Sequence, residues 1–61
     1  MFIVNNGTTS YEVFGDFNEI LKRISKTAKA TKTEFTLKAS DYPGQLFVFK
    51  QDGTMENRID V

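Results

Sequence analysis

One stretch of the chain, residues 16–32 with the sequence DFNEILKRISKTAKATK, has the periodicity of an amphipathic helix. Its apolar residues recur at spacings of three and four, which at about 100° per residue puts them on one face. These residues are Phe17, Ile20, Leu21, Ile24 and Ala28. Asp16 is a suitable N-cap, and Glu19 follows it at the spacing of a capping box. The pattern predicts a helix over 16–32, and no other stretch of the chain indicates one.

The residues before this helix predict a β-hairpin. Strand-forming residues lie on both sides of Asn6-Gly7, the dipeptide most typical of a two-residue hairpin turn. Such a turn would pair Val4 with Thr9 and Phe2 with Tyr11. One face of the hairpin would then be core, formed by Phe2, Val4, Tyr11 and Val13. The other face would carry Ile3, Ser10, Glu12 and Phe14.

The residues after the helix predict three more strands. Residues 33–39 alternate between apolar and polar side chains, as in a strand with one buried face. Pro43 and Gly44 suit the two central positions of a type II turn. Residues 46–50 and 54–61 read as the last two strands. The chain is therefore expected to be a single α+β domain over 1–61, in the order β-β-α-β-β-β, with one helix packed on one face of an antiparallel sheet.

The last hairpin has two alternative registers. A two-residue loop at Asp52-Gly53 would turn Phe47 and Phe49 away from the helix. A three-residue loop, with Gly53 in the left-handed conformation, pairs Phe49 with Met55 instead. The three-residue loop is favoured because it buries two phenylalanines rather than a leucine and a valine. The core would then include Phe47, Phe49, Met55, Ile59 and Val61, while Leu46 and Val48 face away from the helix.

The composition excludes several kinds of site. The 61 residues contain no cysteine and no histidine, so a disulfide framework, a thiolate zinc site and the commonest general base are all missing. Six phenylalanines and two tyrosines must supply most of the core. Neither a signal peptide nor an apolar run of membrane-spanning length is recognisable. We expect a cytoplasmic protein without a membrane partner.

Positive charge is concentrated on the predicted helix. Eight acids balance eight bases over the whole chain, but residues 22–32 contain five bases and no acid. Four of these bases, Lys22, Arg23, Lys26 and Lys29, are candidates to contact nucleic-acid phosphates or an acidic protein surface. The alternative is a solvated helix face whose lysines favour the negative end of the helix dipole.

Apolar residues exceed what one face of the sheet can bury. In the favoured register Leu46 and Val48 join Ile3 and Phe14 on the face away from the helix, where they predict a contact surface for a partner or a second copy of the chain. Internal cover by a curled sheet or a loop is the alternative. The C-terminal strand 54–61 offers a related route, because an edge strand can pair with another strand.

Residue patterns for catalysis are weak. The carboxylates show no recognisable acid–base pairing, and Ser25 lacks a lysine three residues on because position 28 is alanine. We therefore expect a non-catalytic protein without cofactor, metal or small-molecule ligand. A protein-interaction module that uses an open sheet face or edge is the leading hypothesis, with a homodimer as one form. A nucleic-acid-binding module that uses the basic helix face is the alternative.

Overall fold

The computed structural model describes residues 1–59, which form one five-stranded antiparallel sheet and one helix. The order β-β-α-β-β-β and the α+β class agree with the prediction. The sheet order is β2-β1-β3-β4-β5, so that β2 and β5 are the two edge strands. The elements are β1 (Phe2–Asn5), β2 (Ser10–Val13), α1 (Phe17–Thr31), β3 (Phe35–Ala39), β4 (Gln45–Phe49) and β5 (Met55–Ile59).

Both ends of α1 are closed by residues at its boundaries. The carboxylate of Asp16 accepts a hydrogen bond from the backbone N–H of Glu19 at 3.3 Å, as its position as N-cap predicts. At the other end Lys32 has a left-handed conformation with φ of 53°, and its N–H bonds the carbonyl oxygen of Ala28. Glycine usually occupies this position. A lysine there explains why the sequence carries no clear stop signal.

The core lies between α1 and the middle of the sheet. Ile20, Ile24 and Ala28 are buried on the helix side, as the periodicity predicts. The ring of Phe17 adds an aromatic cluster at the start of α1, with ring centroids 5.7 Å from Phe2, 5.1 Å from Tyr42 and 5.5 Å from Phe47. The buried residues contributed by the strands on this side are Phe2, Val4, Phe35, Leu37, Ala39, Phe47 and Phe49.

The predicted register of the first hairpin is wrong by two residues. Phe2 pairs with Val13 and Val4 pairs with Tyr11, so the loop spans residues 6–9 rather than Asn6-Gly7 alone. The side-chain oxygens of Asn5 and Asn6 accept backbone N–H bonds from Gly7, Thr8 and Thr9, which closes a wider turn. A shift of two residues leaves every side chain on its predicted face, so the hydrophobic pattern could not detect the error.

The favoured register of the last hairpin is confirmed. Phe49 pairs with Met55, and Gly53 has a positive φ of 89° in the three-residue loop. Lys50 closes this loop, because its N–H bonds the carbonyl oxygen of Thr54 at 2.8 Å and its carbonyl oxygen accepts from the N–H of Gly53 at 2.9 Å. The turn predicted at Pro43-Gly44 is also present, with φ of 79° at Gly44.

Part of the predicted core is exposed. Met55 and Ile59 lie on the same side of the sheet as the helix, but their exposed fractions are 44% and 80%. Tyr11 on the opposite edge strand is 45% exposed. The prediction that these three residues are core is wrong, and the prediction for Val61 lies outside the described residues.

The width of the sheet explains these exposed residues. Five strands are separated by four gaps of about 4.8 Å, so that the sheet is about 19 Å wide between its edge strands. A single helix with its side chains is only about 10 Å across. It covers the middle strands and leaves a groove beside each edge strand.

The contact between α1 and the β4–β5 loop gives a test of the fold. A Cβ atom at Gly53 would lie 3.2 Å from both the Cβ of Lys29 and the carbonyl oxygen of Ser25, whereas a Cβ at Gly7 would meet nothing within 4 Å. Both glycines have positive φ, so alanine costs each about 1–2 kcal/mol in backbone strain. We expect Gly53→Ala to lose about 1–3 kcal/mol more than Gly7→Ala, because only Gly53 must push the helix away.

Urea denaturation of the two glycine variants measures this difference. Equal losses of unfolding free energy would contradict the packing of the loop against α1. Ser25→Ala provides a milder variant, with an expected loss of about 1 kcal/mol, because the Ser25 hydroxyl donates to the Gly53 carbonyl oxygen.

Candidate functional site

The groove beside β5 is the most distinctive concave surface of the described residues. It lies between α1 and the end of the β4–β5 hairpin, where Met55 is the β5 residue that lines it, and has a volume of about 580 Å³. Apolar side chains form its floor and polar side chains form its sides. The lining residues are Leu21, Lys22, Ser25, Lys26, Lys29, Phe49, Asp52, Gly53, Thr54 and Met55. We refer to it as the β5 groove.

Helical spacing brings three of the predicted basic residues to one side of the β5 groove. At about 100° per residue, Lys22, Lys26 and Lys29 lie within an arc of about 60°. All three line the groove, and we call them the lysine row. Leu21 and Ser25 lie next to this arc on the side toward the sheet, where they contribute to the floor and to the contact with the loop.

One end of the β5 groove is closed by the loop between β4 and β5. The Ser25 hydroxyl donates a hydrogen bond to the carbonyl oxygen of Gly53, which joins the middle of α1 to this loop. The absence of a side chain at Gly53 allows the loop to approach Lys29 and Ser25 closely. This contact sets the distance between the lysine row and β5.

The charges of the lysine row are not neutralised within the described residues. The ion pairs identified within residues 1–59 join Glu56 to Arg58 at 3.0 Å and to Lys50 at 3.6 Å, away from the lysine row. Asp52 lies at the closed end of the groove and keeps its negative charge, and its carboxylate accepts the backbone N–H of Thr54 at 2.9 Å. The side of the groove formed by α1 therefore has a positive potential that favours a negatively charged group.

Arg23, the fourth predicted basic residue, belongs to a different surface. It lines a smaller groove of about 200 Å³ on the β2 side of the helix, together with Tyr11, Thr27 and apolar core residues. The predicted basic face is thus divided by the helix between two grooves. Only the lysine row remains as a group.

The face of the sheet away from the helix does not carry a continuous apolar patch in the described residues. Val48 is on this face as predicted but is only 1% exposed, so the expectation that it is available to a partner is wrong. Ile3 and Leu46 are half-buried, and the register puts Lys38 between them. Phe14 is 72% exposed, just beyond the end of β2.

The sequence interpretation missed Met55 and Ser25 as groove residues. The apolar pattern predicts Met55 as a core residue because its side chain faces the helix. The pattern does not show how many strands a single helix can cover. Ser25 lies at the edge of the apolar face of the helix, next to the lysines. This position was the one sequence signal that its side chain could contact another part of the chain.

In residues 1–59 no group of three or more carboxylate, histidine or cysteine side chains is arranged to hold a metal ion. Within the same residues, no helix combines the length and the apolar character needed to cross a lipid bilayer.

Comparisons of the chain with known proteins were negative. No protein-family model matches it, and neither the curated proteins nor the solved structures gave a significant match.

Asp52 provides a test of the electrostatics at the closed end of the β5 groove. Hydrogen bonds from the side chain and the backbone N–H of Thr54 hold the pKa of Asp52 below its ordinary value of 3.8. A depressed pKa in the folded state adds stability that is present above pH 3.8 and is lost as the pH falls through the folded-state pKa. We expect the difference in unfolding free energy between wild type and Asp52→Asn to shrink over this acidic range.

Chemical denaturation at a series of pH values from neutral to acidic measures this effect. A difference between the two proteins that stays constant over the whole range would contradict the assignment of the bond to the ionised carboxylate.

Proposed function

We propose that the chain is a protein-interaction module that binds an extended segment of another protein along β5. The segment would join the sheet as an additional strand, so that main-chain hydrogen bonds supply much of the affinity. The observation that carries this proposal is the position of β5, which among residues 1–59 pairs with a strand on one side only and whose first residue, Met55, lines the β5 groove.

The register identifies the backbone groups that an added strand would use. In an antiparallel ladder, alternate residues direct their N–H and C=O groups to the same neighbour. The bond from Lys50 to Thr54 makes that pair a hydrogen-bonded pair, so Glu56 and Arg58 also point toward β4. Met55, Asn57 and Ile59 therefore direct their backbone groups outward, where a further strand can accept and donate.

Side chains of the added strand would provide the specificity. Residues directly opposite one another in an antiparallel pair lie on the same face of the sheet. A residue opposite Met55 would therefore enter the β5 groove, since Met55 and Phe49 form part of its floor. The main chain thus supplies affinity that does not depend on sequence, and the groove selects among segments.

Self-association through β5 is less well supported. Antiparallel pairing of two β5 strands about a two-fold axis would put both helices on the same side of the joint sheet. The two lysine rows would then face each other across the joint, and like charges so arranged oppose association. Within residues 1–59 the other sheet face has no continuous apolar patch, which also gives a homodimer little support.

Nucleic-acid binding is the second candidate function, and the unpaired lysine row favours it. Three lysines on one face of a helix could contact phosphates. Among the described residues that line the β5 groove there is no exposed aromatic ring for base stacking. The chain has no net positive charge at neutral pH, which also gives this function less support.

A proline at Asn57 tests strand addition. The N–H of Asn57 points away from β4, so Asn57→Pro removes no backbone hydrogen bond of the β4–β5 ladder, although it removes the side-chain bond to Gln45, and it blocks the outer edge. Peptides selected from a displayed random library on the wild-type chain should bind this variant at least about tenfold more weakly, which corresponds to about 1.4 kcal/mol. Fluorescence anisotropy measures the affinity, and circular dichroism with thermal unfolding checks the fold.

Arg58→Gln is the matched control, because Arg58 is on the same strand but its backbone points toward β4 and its side chain pairs with Glu56. Its affinity should match the wild type. A second test alters the peptide instead. N-methylation of the residues whose N–H groups face β5 should abolish binding, and N-methylation of the residues between them should leave it unchanged. Failure to select any peptide, or binding that is insensitive to both changes, would overturn the proposal.

A further inference from the structure

The spacing and charge of the β5 groove indicate what kind of segment it accepts, an inference that rests on the proposed function. The lysine row lines the same groove as Met55, the first residue of β5. Lys22 and Lys29 are seven residues apart, which corresponds to about 10 Å along a helix. In an extended strand, residues four apart are separated by about 13 Å. The difference of about 3 Å is within the range of the flexible lysine stem.

Part of the lining of the β5 groove is apolar. Leu21, Phe49 and Met55 line it, and the volume of about 580 Å³ is ample for one large apolar side chain. Methionine adapts to side chains of different shape because it is unbranched and flexible. The groove therefore combines an apolar lining with the positive charges of the lysine row.

We propose that the partner is an acidic extended segment with the pattern acid-x-apolar-x-acid. The central apolar residue lies opposite Met55 and occupies the floor, and the two flanking carboxylates reach Lys22 and Lys29. All three side chains point to the same face of the added strand, because alternate residues of a strand share a face. Lys26 lies between them and adds to the attraction for either carboxylate.

A second copy of this chain does not provide the segment, although its sequence contains the pattern. Glu12, Phe14 and Asp16 have the required spacing. The strand β2 ends at Val13, however, and Gly15 has φ of 140°, which interrupts an extended conformation. The carboxylate of Asp16 is already bonded to the N–H of Glu19 as the N-cap of α1. The partner is accordingly a different protein.

The experiment uses fluorescein-labelled synthetic peptides and the whole chain. The first peptide has glutamate, leucine and glutamate at alternate positions, separated and flanked by threonine. In the second peptide threonine replaces both glutamates, and in the third serine replaces the leucine. We expect the first peptide to bind about tenfold more tightly than either of the others, with an affinity that falls as salt is added.

Protein variants assign the charge effect to the lysine row. The double variant Lys22→Gln with Lys29→Gln should weaken binding of the first peptide about tenfold and leave that of the second unchanged. The matched control is Arg23→Gln with Lys32→Gln, which removes the same charge from positions that do not line the β5 groove. Equal losses in both double variants would overturn the inference, because the attraction would then reflect overall charge alone.

Two further outcomes separate this inference from the proposed function. If all three peptides bind equally and Asn57→Pro weakens each of them, strand addition stands and the acidic pattern is wrong. If a single-stranded oligonucleotide displaces the acidic peptide and Asn57→Pro has no effect, the lysine row is a site for polyanions and both proposals fail. Analytical ultracentrifugation should give a monomer for wild type and for Phe14→Ser. A wild-type oligomer that Phe14→Ser dissociates would instead identify a second copy as the occupant.

Discussion

A single helix cannot cover a five-stranded sheet, and this mismatch in width determines most of the surface of the molecule. The sheet is about 19 Å wide and the helix about 10 Å, so that α1 covers the middle strands and stops short of both edges. Apolar residues on the helix side of the edge strands, Tyr11 and Met55 among them, are therefore exposed even though they alternate as core residues do. Each groove beside the helix is a consequence of this geometry. In residues 1–59, three basic side chains of the helix line the β5 groove, whereas Arg23 lines the groove on the β2 side.

The loop between β4 and β5 converts this geometry into a groove of defined width. Gly53 fits against Lys29 and Ser25 because it has no side chain, and the Ser25 hydroxyl fixes the contact with a hydrogen bond. The same loop determines the register of β5, and so determines which backbone groups point outward. Packing of the helix, register of the strand and orientation of the free edge are thus coupled through one residue. A change that loosens this loop should affect all three together.

The sequence predicts the helix, the strands and one of the two hairpin registers correctly. The prediction of the three-residue loop is correct because a one-residue slip would move Phe47 and Phe49 to the face away from the helix. Burial therefore distinguishes registers that differ by one residue. The predicted register of the first hairpin is wrong because a slip of two residues leaves each side chain on the same face. The turn is determined by backbone N–H groups that donate to the side-chain oxygens of Asn5 and Asn6. Which apolar residues the helix buries depends on the order of the strands in the sheet, and local sequence patterns do not give that order. Val48 is buried on the face away from the helix, and its apolar character alone could not distinguish that burial from a contact surface.

Residue-by-residue amide hydrogen exchange along β5, followed by NMR, tests the central claim most directly. In the free chain the amides of Glu56 and Arg58 should exchange slowly, because they bond to β4, while those of Met55 and Asn57 exchange rapidly at the open edge. Saturation with the acidic peptide should then slow exchange at Met55 and Asn57 selectively. Uniform protection along β5 in the free chain, or unchanged exchange at Met55 and Asn57 when the peptide is bound, would contradict the account.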